Sequence, residues 1–255
     1  MLSKAEIKRL NRYKQSKFRN QDEIFVVEGE KMLEELLQSD YNIQSIYATA
    51  PWIQKNTSLI QLKGVANKVV EINEEDLNKI SLLSTPNQVY SLVKIPQENF
   101  SNQTKGLTIV LDGIKDPGNL GTIIRLADWY AVENIICSKD CVDVFNPKTV
   151  QSTMGSIFRV KVEYTDLKTY LGNQPCDLAI YGSIIEGGKN IYEKQFSKDA
   201  ILVIGSESHG ISPEIQDLVN QKITIPRFRT DNKPESLNAS IATAIMISEI
   251  KRIKK

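Results

Sequence analysis

"GLTIVLDGIKDPGNLGTIIRLAD", residues 106–128, is the stretch from which the fold is read. Leu107 to Leu111 form a continuous, uncharged and largely β-branched run, the pattern of a strand buried on both faces. Pro117, Gly118, Asn119 and Gly121 then mark a turn, and apolar residues resume at helical spacing with one cation, Arg125, among them. Strand, glycine-bearing turn and helix is the layout of a phosphate or dinucleotide cradle. Yet the spacing matches neither G-x-G-x-x-G nor G-x-x-x-x-G-K-[ST]. What the turn holds, and why it carries an arginine, has to come from the rest of the chain.

Further strands are expected at "NIICS" (134–138), "FRVKVE" (158–163), "DLAIYGS" (177–183), "AILVIGS" (200–206) and "KITIPR" (222–227), with helices between them. "ESLNASIATAIMISEIKRIKK" (235–255) supplies a long final helix. Alternation of buried strands and helices predicts an α/β domain around a mostly parallel sheet over residues 107–255. Upstream, "EIFVVEG" (23–29), "IQSIYAT" (43–49), "KVVEI" and "QVYSLVKI" read as strands. "EKMLEELLQ" (30–38) and "NEEDLNKIS", capped by Asn73, read as helices. Residues 1–95 thus form a small α/β domain, and the polar, aperiodic "PQENFSNQTKG" (96–106) a linker.

The 255 residues carry a formal net charge of +1, 41% hydrophobic and 25% charged residues, as in ordinary globular proteins. No apolar run approaches the ~18 residues that span a bilayer, and no signal-peptide core opens the chain, so no membrane partner is expected. Cys137, Cys141 and Cys176 show no metal-binding or C-x-x-C spacing, which points to reduced thiols, a cytoplasmic setting and no metal. Charge is uneven: residues 1–20 hold seven basic residues against the single acid Glu6. Lys8, Arg9, Arg12, Lys14 and Arg19 are therefore candidate RNA-phosphate contacts. The same run reads equally well as a solvated terminal helix.

Ligands of open parallel sheets sit beyond the carboxyl ends of the strands. Three loops there stand out: the turn that begins "DPGNLGTIIRLAD" (116–128), "VIGSESHGIS" (203–212), and "IPRFRTDNKPESLNAS" (225–240), whose helix is expected to begin at Ser236 and Leu237. Individually each has a plain structural reading. Asn119 and Ser236 serve as helix N-caps, and Ile225 and Leu237 as core. In order and together they resemble the three signature motifs of the SpoU (TrmH-like) RNA ribose 2′-O-methyltransferases, with "NPKTVQSTMGSIFRV" (146–160) a fourth similar stretch. "FVVEGEKMLEELL" is similar to that family's accessory substrate-binding domain, of the fold seen in some ribosomal proteins. Ser206 and Ser208 stand where the family carries Asn and Gly, Ala131 replaces a common Gly, and the 225–236 loop is long and lacks glycine.

The resemblance implies a deep carboxyl-terminal trefoil knot, a homodimer that uses the apolar "IATAIMISEI" (241–250), and S-adenosylmethionine bound in bent form. Carried over by position, Ser183, Gly205, Ile225 and Leu237 would line the cofactor pocket. Arg125, Asn119, Glu207, Ser236 and Asn238 would form the catalytic set. Arg125 would grip phosphate and stabilise the incipient alkoxide, since a guanidinium rarely yields its proton. Asn119 would position Arg125 or the ribose, and Glu207 would pair with Arg125. His209, the sole histidine, matches no essential family position. Trp129 and Tyr130 suit base stacking, core or dimer packing. The implied substrate is RNA, ribosomal (23S) ahead of transfer RNA. A non-catalytic RNA-binding relative and a Rossmann-type nucleotide enzyme are the competing classes, and the missing glycine fingerprint argues against the latter.

Overall fold

The computed structural model describes residues 1–83, 85, 87–97, 106–229 and 236–252. Most of the expected linker and residues 230–235 of the third loop lie outside these. The chain divides into two compact units, Met1–Glu98 with Asp143–Arg159, and Asn99–Val142 with Val160–Lys255.

In the first unit, α1 (Lys4–Asn11) opens on a reciprocal cap. Ser3 Oγ accepts from the Glu6 N–H at 3.2 Å, and Glu6 Oε2 accepts from the Ser3 N–H at 3.4 Å. Then follow α2 (Ser16–Asp22), β1 (Ile24–Glu28), α3 (Glu30–Gln38), β2 (Ile43–Ala48), α4 (Ala50–Leu62), β3 (Val69–Glu71), α5 (Glu74–Ile80) and β4 (Val89–Lys94). The four strands lie in the order β1-β4-β2-β3. Asn73 caps α5 as expected, its side chain accepting from the Asp76 N–H at 2.8 Å. The unanticipated helix is α4. Its Pro51 looks like a breaker in sequence, but proline is tolerated in a first turn, where the N–H has no partner anyway.

In the second unit β5 (Leu107–Asp112), α6 (Pro117–Trp129) and β6 (Asn134–Ser138) follow the expected order. The next stretch, Asp143–Arg159 with α7 (Pro147–Thr153), departs from the expected span 107–255 because it packs within the first unit. Phe145 lies 4.7 Å from the Phe25 ring and Phe158 lies 5.2 Å from that of Tyr41. The Tyr41 hydroxyl donates to the Ile157 carbonyl at 3.1 Å. Gly155 has φ 98°, and a Cβ there would stand 2.6 Å from Glu35 Cγ, so only glycine fits. This docking corrects one site assignment. Arg19 is 2% exposed, donates to the carbonyls of Tyr13 (2.9 Å) and Lys14 (3.0 Å), and pairs with Asp143 at 2.5 Å. It is a buried strut and not a surface phosphate contact. Arg12 is also engaged, by Asp22 and over the rings of Tyr13 and Phe18. Arg9 donates to the Tyr47 hydroxyl at 2.9 Å, and Lys8 and Lys14 are exposed.

The chain continues through β7 (Lys161–Thr165), α8 (Leu167–Gly172), β8 (Ala179–Ser183), β9 (Lys189–Asn190), β10 (Ala200–Gly205), α9 (Pro213–Gln216), β11 (Gln221–Thr224) and α10 (Ala239–Ile250). The seven strands of this unit run β7-β6-β5-β10-β8-β11-β9, with every neighbouring pair parallel. Val110, Ile136, Ile180, Ile201 and Val203 fill one face with Leu167, Leu171, Ile211 and Ile215. The expected sheet is therefore present, with "FRVKVE" shifted so that Ser156–Phe158 form a short 3₁₀ turn before β7. Being parallel, β5, β8, β10 and β11 bring the loops that follow Asp112, Ser183, Gly205 and Thr224 to one edge of the sheet.

Candidate functional site

The first of these loops is held from below. The Gly113 N–H donates to Ser138 Oγ at 2.9 Å and the Ile114 N–H to Cys141 Sγ at 3.2 Å. Lys115 Nζ pairs with Asp140 at 2.7 Å. Lys115 and then Ser138 hold the Asp140 carboxyl below its ordinary pKa. A hydrogen bond from the Cys137 thiol, with smaller help from Ser138 and the two amides, pulls Cys141 down to about 7, while Cys137 is pushed up. Ser138–Cys141 thus engages three successive residues of the loop after β5, Gly113 to Lys115, a structural use in keeping with buried thiols. Asp116 caps α6, its Oδ1 accepting from the Asn119 N–H at 2.8 Å. The cap is therefore Asp116 and not Asn119, whose side chain remains available.

That side chain points into the second loop. Ser206 and Gly210 exchange backbone hydrogen bonds of 3.0 and 2.9 Å, closing a tight hairpin with Glu207 at its tip. Gly205, just before it, lies so close to the returning strand that a Cβ would be 2.0 Å from the Gly210 carbonyl carbon. The serines that replace the family's Asn and Gly bond inside this loop: Ser206 Oγ accepts from the His209 N–H at 3.3 Å, and Ser208 Oγ lies 2.7 Å from His209 Nδ1. His209 is thereby tied to its neighbours as a loop residue. The loop's end is fixed to β5, since Asp112 Oδ2 accepts from the Ser212 N–H at 2.7 Å.

The three loops meet through two amides and a carboxylate. Asn119 Nδ2 donates to Glu207 Oε1, and Asn119 Oδ1 accepts from Asn238 Nδ2 at 2.9 Å. Asn238 Oδ1 meanwhile accepts from the N–H groups of Ser240 (3.0 Å) and Ile241 (3.3 Å), capping α10. The cap is thus Asn238 where Ser236 was expected, and the helix itself begins at Ala239. The expected partner of Glu207 is also different, being Asn119 where Arg125 was anticipated.

Beside this chain of side chains lies a cavity of about 620 Å³, in the usual range for a small-molecule site. Ser183, Gly205, Ile225 and Leu237, the four residues carried over for the cofactor, all line it, as do Glu207 and Ser236. Ile204, Ile211, Ala242 and Met246 supply apolar wall. Asn119, Asn238 and Arg125 are outside the lining; the first two reach it through Glu207. Arg125 is exposed on α6, and among the described residues no hydrogen bond or ion pair engages it. One turn further along, Trp129 is 84% exposed, which removes core packing from its possible uses. Ala131, in the place of a common glycine, takes φ 51° to close the helix, a strained choice costing on the order of 1 kcal/mol. Among the described residues no cluster of three His, Cys, Asp or Glu is placed to hold a metal, and no helix is long and apolar enough to cross a membrane.

Residues 106–248 match the model of the SpoU rRNA methylase family, and residues 4–91 match that of the MRM3-like substrate-binding domain. The chain is 25% identical over 236 residues to the 23S rRNA (guanosine(2553)-2′-O)-methyltransferase RlmP of Bacillus subtilis, covering 92% of this chain and 91% of that protein. An RNA methyltransferase of the TrmH family from Porphyromonas gingivalis superposes with a TM-score of 0.83 at 35% identity over 98% of both chains. An AdoMet-bound rRNA methyltransferase from Sinorhizobium meliloti superposes with a TM-score of 0.85 at 26% identity, over 98% of this chain and 95% of that one. On the family model that spans the three-loop site, this chain belongs to the SpoU rRNA methylase family and is an RNA methyltransferase.

Proposed function

We propose that the chain transfers the methyl group of S-adenosylmethionine to a ribose 2′-hydroxyl of large-subunit ribosomal RNA. The observation that carries this reading is the convergence of the three loops. The four cofactor positions share one cavity, and a line of side chains from two other motifs ends on Glu207 at that cavity. The fit to the cofactor is chemical: aliphatic walls suit the adenine, strand-end amides and carbonyls suit its hydrogen-bonding edge, and the Glu207 carboxylate suits a cation. Bound S-adenosylmethionine supplies an electrophilic methyl on a sulfonium. The chain's own residues must do the rest.

A ribose hydroxyl attacks poorly until charge on its oxygen is stabilised. Arg125, exposed on α6, offers a planar donor fork that grips the adjacent phosphate and faces the developing alkoxide. Asn119, held by Asn238 and Glu207, presents a fixed amide beside the cavity, and Ser236 adds a hydroxyl at its wall. The first unit selects the RNA, with the exposed Lys8 and Lys14 meeting phosphates. The choice of ribosomal over transfer RNA is supported by the MRM3-like substrate-binding domain at residues 4–91. The insertion of β10 between β5 and β8 suits the deep knot of the family. The deciding experiment maps 2′-O-methyl groups in cellular RNA with and without the gene. One unmethylated nucleotide in 23S rRNA is the expected result. A loss confined to transfer RNA would move the substrate, and no loss anywhere would favour the non-catalytic relative.

The working form is a homodimer in this reading. Helix α10 packs along α6 and is mostly apolar, yet Ile241 is 52% exposed and Trp129 84% exposed. Such residues are suited to an interface. Light scattering at micromolar concentration is expected to give twice the chain mass, and Trp129→Asp to halve it. A folded monomeric wild type would defeat the expectation.

A further inference from the structure

The stretch Arg227-Phe228-Arg229 has no part in the cofactor and catalytic roles proposed for this site. It directly follows Ile225 and Pro226 off the end of β11, and all three residues line the same cavity. Phe228 is 88% exposed, more than any other Phe or Trp among the described residues. Burying an aromatic ring is favourable in proportion to the apolar area taken from water. A ring held in water beside a binding site is therefore a surface in want of a partner. Its flanks are cationic: Arg229, and Arg227, whose Nη1 lies 3.5 Å from Glu186 Oε1.

We propose that Phe228 is a stacking platform for an unpaired base of the RNA acceptor, with Arg227 and Arg229 meeting the phosphates on either side. Resting on the reading that this cavity serves an RNA methyltransferase, the proposal names the group that seats the acceptor at its mouth. An aromatic ring between cations is the recurring chemistry of single-stranded RNA recognition, because every base offers a π-face and every nucleotide a negative charge. The other candidate occupant, the cofactor's adenine, fits less well. The cavity already has Ile204, Ile211, Ala242 and Met246 as apolar wall, and Phe228 is turned outward, where an enclosed adenine would leave it wet. A second copy of the chain would cover the ring but not use the two guanidinium groups, which suit a polyanion.

The test compares wild type, Phe228→Ala and Phe228→Tyr by anisotropy of a fluorescein-labelled, mixed-sequence 12-nucleotide single-stranded RNA. Calorimetry with S-adenosylmethionine and light scattering run in parallel. Phe228→Ala is expected to bind the RNA about tenfold more weakly, with Phe228→Tyr close to wild type. Cofactor affinity and mass should be unchanged. Arg229→Gln should lower affinity and flatten its salt dependence. Because the ring is exposed, its removal does not threaten the fold. Equal RNA binding by Phe228→Ala overturns the proposal. So does a cofactor affinity that falls with it, which would seat adenine on the ring, or a change of mass, which would seat a second copy there. Methyl transfer to a large-subunit RNA transcript is measured separately. Its absence in wild type would count against the proposed reaction while the anisotropy still decides the platform.

Discussion

Replacing Arg125 with alanine is expected to lower single-turnover methyl transfer at least about a hundredfold, roughly 3 kcal/mol of transition-state stabilisation. The structure sharpens the reason. Arg125 is exposed on α6 and, among the described residues, is engaged by no acid, so its donors are available to an incoming phosphate and ribose oxygen. Glu207, the anticipated partner, is instead bonded to Asn119. Glu207→Gln should therefore act by loosening Asn119 and the hairpin tip and should leave the guanidinium itself intact, so its damage should be the milder. Lys at position 125 should recover little, since a point charge cannot span two oxygens as a planar fork does. Cofactor affinity should barely move, because Arg125 is not among the cavity's lining residues. The check is methyl transfer to the mapped RNA alongside cofactor titration of each variant. A near wild-type rate for Arg125→Ala would turn attention to Ser236, the hydroxyl in the cavity wall.

Much of this site is legible in the amino-acid sequence, for a physical reason. Buried parallel strands announce themselves as apolar runs, and parallel geometry forces the loops after them onto one edge, so three loops distant in sequence had to meet. The residue identities at Ser183, Gly205, Ile225 and Leu237 come from the family resemblance, and the cavity gathers all four. What sequence does not settle is which of several competent polar groups takes a given task. Asp116 and Asn119 are both good cap residues, as are Ser236 and Asn238. Backbone geometry selects Asp116 and Asn238. Asn119 is left to bridge the loops. Arg19 misleads for a different reason: a basic run looks uniformly solvated until a distant acid, Asp143, arrives to pair with one member. No local pattern reports that contact, and none reports that residues 143–159 pack with the first unit. Phe228 is visible in the sequence but silent, because an aromatic in a loop signals nothing until its exposure is known.

The second large effect is expected at Gly205, where the smallest possible addition should disable the cofactor pocket. A Cβ there would lie 2.0 Å from the Gly210 carbonyl carbon and 2.2 Å from both its oxygen and the Ile211 nitrogen. All three are backbone atoms, so no rotamer change can make room. Either the end of β10 or the hairpin strand must retreat. The two hydrogen bonds between Ser206 and Gly210 are what such a retreat would break. With them goes the placement of Glu207, and through it the bond to Asn119. Gly205→Ala should thus weaken S-adenosylmethionine binding a hundredfold or more, at a stability cost of about 1–3 kcal/mol typical of overpacking. Residues 200–203 remain paired to both neighbouring strands, so the sheet itself should survive. Gly210→Ala makes the contrast. That glycine has open space around its missing Cβ but a φ of 66°, so its penalty should be conformational, about 1 kcal/mol, with cofactor affinity reduced far less. Calorimetric titration and thermal unfolding of the two variants separate the effects. If Gly205→Ala bound the cofactor within a few-fold of wild type, the hairpin would not be the pocket's frame, and Ile225 and Leu237 on the opposite wall would have to carry it.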